Sequence, residues 1–178
     1  MKKKRCLALL ACVLLITIAC SRKEEATYRG KPLHAWIKML NDQDPNRKYA
    51  AIKAIAEIGP QGKEAIPVLV ETIRETRNGD KRILIACNHA LLAMGEQIVP
   101  YMIALLKDEN WEMRRGSAWM LGKLGSKAKD AITALTETLN KDPSEAVRIK
   151  AAEALKKIKD EEGDSRRSNS EESTSQEK

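Results

Sequence analysis

Large aromatic side chains are almost missing from this sequence, which contains no phenylalanine and only 3% aromatic residues. A hydrophobic core built on large rings is therefore excluded, so smaller aliphatic side chains must fill it. Alanine, leucine and isoleucine do recur at close spacing, which suits tightly stacked helices. We predict no β-strand, and the composition favours an all-α protein.

Residues that commonly carry catalysis or bind metals are also scarce, since the chain has two histidines and four cysteines. Neither His34 nor His89 belongs to a metal-binding pattern, and no glycine-rich phosphate loop is present. We therefore predict no enzymatic activity, no catalytic residue, no metal site and no cofactor. Cys87 occupies a repeat position that elsewhere holds small residues, so we expect an inert, buried thiol.

The first 19 residues read as a secretory signal peptide. A basic segment, residues 1–5, precedes an apolar stretch that is shorter than the roughly 20 residues of a membrane-spanning helix. The stretch ends in Thr17-Ile-Ala-Cys20-Ser21, which resembles the lipobox of bacterial lipoproteins. That resemblance implies cleavage before Cys20 and acylation of its thiol and amine, with residues 20–31 as lipidated cysteine and tether. An ordinary secretion signal, cut near the same place, is the alternative.

A lipidated Cys20 would anchor the chain in a bacterial envelope, facing the periplasm or the exterior. Ser21, where an aspartate would mark retention, resembles outer-membrane sorting and favours the outer over the inner membrane. The formal net charge is +7, but the charges are interspersed along helices, which is typical of a solvated surface. We expect a monomer that binds the membrane through its lipid and an unknown envelope protein, with no nucleic-acid partner.

A helix-pair repeat fills most of the remaining chain. Segments 49–59, 85–95 and 115–125 superpose without gaps, and 149–158 repeats the pattern without its closing glycine. The closing residues Gly59, Gly95 and Gly125 recur at a period typical of helical solenoids. Each unit is predicted to contain an A helix and a B helix, with apolar residues at the i, i+3, i+4, i+7 positions.

The pattern Asp-Pro-x-x-x-x-basic-x-x-Ala-x-x-Ala-Leu-x-x-Ile, seen at residues 142–158, resembles the HEAT-repeat family. Ala65-Ile-Pro-Val-Leu69 is similar to that family's second helix, in particular to short bacterial repeats of the phycobilisome-lyase type. The resemblance implies a right-handed α-solenoid of antiparallel helix pairs, about eight helices over residues 32–159, used for protein contacts. Residues 160–178 are rich in Ser, Glu and Arg, so we expect a disordered charged tail.

Aspartates and basic residues recur at fixed places in the repeats. We expect each aspartate to cap an A helix and to bind a basic residue, tying successive repeats together. The second unit departs from this pattern, because Leu84 stands in its basic position. The aspartates are Asp42, Asp108 and Asp142, and the basic residues are Lys48, Arg114 and Arg148.

Trp111, Arg115 and Trp119 are the candidate partner-binding residues. Eight residues advance a helix by roughly 80° beyond two turns, so the two tryptophans should flank one broad face. Tryptophan and arginine are favoured anchors at interfaces. In the alternative, Trp111 packs on a loop and Trp119 on the adjacent helix. The Arg115 stem is expected to be partly buried, because its repeat column otherwise holds apolar residues, namely Tyr49, Ile85 and Ile149.

The leading functional hypothesis is a non-enzymatic protein–protein interaction scaffold or adaptor, tethered to a bacterial membrane by a lipidated N-terminal cysteine. The alternative is a lyase-like or chaperone subunit that handles a small ligand in the concave groove of the solenoid.

Overall fold

The computed structural model describes residues 25–76 and 79–175. Cys20 and the predicted signal peptide lie outside the described residues. The helices are α1 (Leu33–Met39), α2 (Pro45–Ile58), α3 (Ile66–Thr76), α4 (Lys81–Ala93), α5 (Val99–Leu105), α6 (Trp111–Leu124), α7 (Ile132–Lys141) and α8 (Glu145–Ser175). They form an all-α HEAT-like solenoid, as predicted.

The A helices are α2, α4, α6 and α8, and the B helices are α3, α5 and α7. Short 3-10 segments, Gly59–Ala65, Gly95–Ile98 and Gly125–Ala131, join each A helix to its B helix. One continuous apolar core runs through the stack. Its largest fully buried side chains are Leu33, Leu40, Ile52, Ile55, Ile66, Leu69, Leu91, Met94, Ile98, Met102, Leu121 and Leu135.

Glycine closes three of the A helices. Gly59, Gly95 and Gly125 have positive φ angles of 60°, 63° and 56°. The ψ angles of Gly59 and Gly125 are −133° and −134°, which differs from the left-handed helical conformation usual at helix ends. This backbone conformation is strained for any residue with a Cβ, and it turns the chain directly into the 3-10 segment.

The capping residues are not the aspartates that were predicted to cap the A helices. Asp44, Asp80 and Asn110 each accept a hydrogen bond from the backbone N–H two residues ahead, at 2.8–2.9 Å. Asp42 and Asp108 instead accept from the backbone N–H of the capping residue itself, at 3.0 and 2.9 Å. The expectation that these earlier aspartates cap the helices is therefore wrong. Their side chains instead stabilise the turn that precedes each capping residue.

An arginine and an aspartate join the third repeat to the fourth. The Arg114 Nε and Nη2 donate to the two carboxylate oxygens of Asp142 at 2.7 and 3.0 Å. The third nitrogen, Nη1, donates to the carbonyl oxygens of Asp108 and Glu109 at 2.8 and 3.0 Å. The expected tie between repeats is confirmed here.

The second unit joins its neighbour differently. Leu84 cannot form such a pair, and Asp108 is instead bound by Arg74 of α3, whose Nη2 lies 2.6 Å from Oδ2. The A helices α4 and α6 also pack against each other much less closely than α2 against α4 or α6 against α8. An open seam therefore lies between the second and third repeats.

A short hairpin precedes α1, although no strand was predicted. Thr27–Tyr28 pairs antiparallel with Lys31–Pro32. Arg29 and Gly30 have φ angles of 50° and 71°. Two consecutive positive φ angles form the type I′ turn that matches the twist of a two-residue hairpin. The hairpin was missed because strands of two residues leave no periodic pattern in the sequence.

The last helix, α8, runs to Ser175, whereas the sequence predicts a disordered tail from residue 160. Helix-favouring Glu, Lys and Arg residues continue past Ile158, so propensity does not end the helix there. One tertiary contact also lies in this segment, since the backbone N–H of Ser126 donates to Glu161 Oε2 at 2.9 Å.

Over residues 25–76 and 79–175, no single helix has both the length and the apolar character to cross a membrane. One pair, Lys81–Ala93 with Gly95–Leu105, reaches that length and composition together but is bent by 114°.

Candidate interaction surface

The three candidate residues lie on one helix, α6, and at a spacing of four residues. Trp111 is the first residue of the helix, directly after its cap Asn110. The Arg115 guanidinium lies 5.2 Å from the centre of the Trp111 ring. The Lys123 ammonium likewise lies 5.7 Å from the centre of the Trp119 ring. We call these four residues, Trp111, Arg115, Trp119 and Lys123, the α6 stripe.

The two tryptophans of the stripe differ in their surroundings. Trp111 is 42% exposed, so it offers an apolar surface to a partner. Trp119 is half-buried and packs against the hydrophobic core. Trp119 must therefore contribute to stability as well as to any contact, because burial of its ring removes apolar area from water.

Apolar side chains are also exposed on the neighbouring A helices. Tyr49 of α2, Ile85 of α4 and Ile149 of α8 are 36%, 67% and 52% exposed. They occupy the repeat column of Arg115, which is itself exposed. The expectation that this column buries the Arg115 stem is therefore wrong, because the column faces outward from the stacked A helices. Exposed apolar residues in a row mark surfaces that bind partners.

A cleft occupies the open seam between α4 and α6. Its volume is about 260 Å³. The wall is mostly apolar and includes three methionines, whereas polar groups lie at Asn88, Glu112, Arg115 and Ser117. Its remaining lining residues are Val70, Ile73, Leu84, Leu91, Met102, Leu105, Met113, Gly116 and Met120.

A shallower depression continues from this cleft toward α8. It is lined by Asn88, Arg115, Gly116, Trp119 and Lys150, and the first three of these residues also line the cleft. The cleft and the depression together form what we call the α4–α6 groove. A Cβ atom added at Gly116 would meet no atom within 4 Å, so the groove is open at this point.

Positive charge without a paired anion lies beside the groove. No carboxylate of the described residues lies within salt-bridge distance of Arg115 or Lys123, whereas Lys150 pairs with Glu153 at 2.6 Å. That pairing, through the Lys150 hydrogen bond, lowers the pKa of the Glu153 carboxyl. Arg115 and Lys123 are therefore available to a negatively charged partner.

The remaining reactive side chains form no site in the part of the chain that the structure describes. Cys87 is fully buried, as predicted, and burial raises the pKa of its thiol to about 12. A thiol in this state is a poor nucleophile. His34 lies at the surface against Glu25, with Nδ1 2.8 Å from Oε1. Within residues 25–76 and 79–175, no three His, Cys, Asp or Glu side chains are placed to hold a metal ion.

A family model described as HEAT repeats matches residues 77–156. This stretch is therefore similar to HEAT repeats. It contains α4 to α7 and the first part of α8, and therefore the whole α4–α6 seam and the α6 stripe. HEAT repeats generally act as scaffolds for protein–protein interaction and are typically non-enzymatic. No curated protein matches the chain.

Sequence reasoning found the tryptophans but missed the groove beside them. The groove depends on how far apart two A helices lie, which no residue pattern states directly. One signal did exist, since Leu84 stands in the otherwise basic column in which Arg114 forms its tie to the next repeat.

Proposed function

We propose that this chain is a non-enzymatic interaction module that presents the A-helix surface around α6 to another protein of a bacterial cell envelope. The observation that carries the proposal is the α6 stripe, in which an exposed Trp111 is stacked by an arginine that has no carboxylate partner among the described residues. Tryptophan and arginine dominate binding energy at interfaces because they combine apolar area with directed hydrogen bonds. The HEAT-repeat match over the same helices supports the proposal.

The membrane tether is part of this proposal. Cys20 follows an apolar stretch and ends a lipobox-like sequence, so acylation at Cys20 would hold the solenoid at the membrane, with the residues between Cys20 and the hairpin as a spacer. Such a tether confines the module to a thin layer near the membrane. The module then meets membrane-bound partners at a raised effective concentration.

Photo-crosslinking in whole cells tests the proposal. A photo-reactive amino acid is introduced at Ile85 or Ile149, the exposed apolar positions on the A helices, and at Gln97, in the 3-10 segment between α4 and α5, as a control. We expect a discrete crosslinked envelope protein from the A-helix positions only, and its loss when Trp111→Ala is added. Equal crosslinking from Gln97, or no protein product at all, would overturn the proposal.

The tether is tested separately with Cys20→Ser. We expect the variant to lose metabolic labelling by fatty acid and to leave the membrane fraction. Continued membrane association with unchanged processing would refute lipid anchoring and leave the interaction surface untouched.

A further inference from the structure

The α4–α6 groove has a deep apolar end and a basic shallow end. Leu84, Leu91 and Met102 belong to the apolar wall of the deep end. Arg115 and Lys150 border the shallow end. A partner that fills both ends would place a large apolar side chain in the deep end, which is also lined by Glu112, and negative charge at the shallow end.

The groove is a specific departure from the regular repeat. At the position where Arg114 ties α6 to the loop before α8, α4 carries Leu84. α4 and α6 also pack less closely than α6 and α8, and Leu84 lines the cleft between them. An apolar side chain of the cleft wall thus stands in this repeat where Arg114 makes its tie in the next.

The wall can adapt to its occupant. Met102, Met113 and Met120 contribute three thioether side chains to the cleft. Methionine is unbranched and adjusts its shape at little cost, which is why it is common at surfaces that accept varied apolar anchors. A leucine, isoleucine, phenylalanine or tryptophan of a partner would each find a fit.

The acidic C-terminal segment of this chain is not the occupant. Residues 160–178 contain no aliphatic or aromatic residue, so the acidic tail supplies no anchor for the cleft. A second copy is also disfavoured, because a two-fold symmetric contact would set Arg115 and Lys123 of one copy against the same cations of the other. Like charges brought together across an interface oppose binding.

We infer that the α4–α6 groove binds an acidic segment of a different protein, which inserts one large apolar side chain between α4 and α6 and pairs a carboxylate with Arg115. This inference rests on the proposed function and deepens it by naming the chemistry of the partner. The apolar anchor supplies affinity through burial, and Arg115, for which no carboxylate partner lies among the described residues, selects negatively charged segments.

Selection from a random 16-residue peptide library displayed on phage tests the inference, with the full chain purified in detergent as target. We expect enriched peptides that combine Asp or Glu with one large apolar residue. A synthetic copy of an enriched peptide should lose about tenfold or more in affinity when that residue becomes alanine or when its acidic residues become lysine. Enrichment of basic or wholly polar peptides, or no enrichment, would overturn the inference.

Variants of the chain locate the bound peptide. Gly116→Leu places a side chain in open space at the groove and should weaken peptide binding about tenfold or more while the melting temperature holds. Arg115→Glu should weaken it similarly, and Lys63→Glu, a charge reversal in the first 3-10 segment, should change it by less than about twofold. If neither Gly116→Leu nor Arg115→Glu changes the peptide affinity, the assignment of the peptide to the groove is wrong.

The other occupants give different results. If sedimentation shows a dimer of the unmodified chain that Gly116→Leu converts to a monomer, a second copy fills the groove and the inference is wrong. If the Ile85 crosslink requires Trp111 but survives Gly116→Leu, the interaction module stands and only the groove inference fails.

Discussion

Arg114 and Asp142 form two parallel hydrogen bonds, at 2.7 and 3.0 Å, between α6 and the loop that precedes α8. Both residues are only 9% exposed. The same arginine also holds the carbonyl oxygens of the loop before α6. One side chain therefore fixes two successive loops, and the positions of both A helices depend on it.

Asp142→Ala should lower the free energy of unfolding by about 3 kcal/mol, because it leaves the Arg114 guanidinium buried without its anion. The measurement is urea denaturation followed by circular dichroism. Asp130→Ala is the matched control, since Asp130 is an exposed aspartate, and it should change stability by no more than about 0.5 kcal/mol. Equal effects of the two variants would mean that the pair contributes nothing specific.

Acid should weaken the fold through these aspartates. The hydrogen bonds from Arg74 and Arg114 lower the pKa of Asp108 and Asp142, respectively, below the usual aspartate value of about 3.9. Because the folded-state pKa is lowered, the stabilisation is complete above the unfolded value and is lost as pH falls through the folded value.

Urea midpoints measured between about pH 6 and pH 2 should therefore fall steeply at the acid end. In Asp142→Asn the fall should be shallower, since one of the titrating groups is gone. An identical pH profile for the two proteins would show that Asp142 does not contribute to acid sensitivity.

Two glycines on α6 should respond oppositely to alanine. A Cβ at Gly122 would lie 2.9 Å from the Ala154 Cα of α8, so Gly122→Ala should force the two helices apart and cost about 1 to 3 kcal/mol. A Cβ at Gly116 meets open space, so Gly116→Ala should gain about 0.5 to 1 kcal/mol from helix propensity. Melting temperatures of the two variants give the comparison, and a stabilised Gly122→Ala would contradict the close packing of α6 on α8.

The two stripe tryptophans should separate stability from binding. Trp111→Ala removes an exposed ring and should change the free energy of unfolding by less than about 1 kcal/mol. Trp119→Ala removes a ring that packs on the core and should cost about 2 kcal/mol or more. Both variants should also lower the yield of crosslinking to the partner protein. A larger loss of stability from Trp111→Ala would place that ring in the packing and remove it from the interaction surface.

The sequence was sufficient for the helix pairs because their information is local and repeated. Gly59, Gly95 and Gly125 end A helices where the superposed segments place them, and the tie between Arg114 and Asp142 follows from columns of matching charge. The sequence did not reveal that the column of Tyr49, Ile85 and Ile149 faces solvent. An apolar residue shifted by one position along a helix turns from the core toward solvent, and composition alone does not reveal that shift.

Only part of the candidate site could be predicted from the sequence, for a related reason. Trp111, Arg115 and Trp119 stand out by residue type and spacing. The groove beside them depends on the distance between two helices, which the sequence does not state. Leu84 marked the irregular repeat, yet only the packing of α4 and α6 shows that the irregularity opens a cleft.

The loose α4–α6 seam also bears on how the chain unfolds. Repeat arrays gain stability from contacts between neighbours, so cooperativity is lowest where one contact is weakest. Hydrogen exchange should therefore divide the array into two blocks that open separately, α2 to α5 and α6 to α8, with amides of α6 and α8 protected together. A segment bound in the groove would join the two blocks, and their exchange should then slow as one unit.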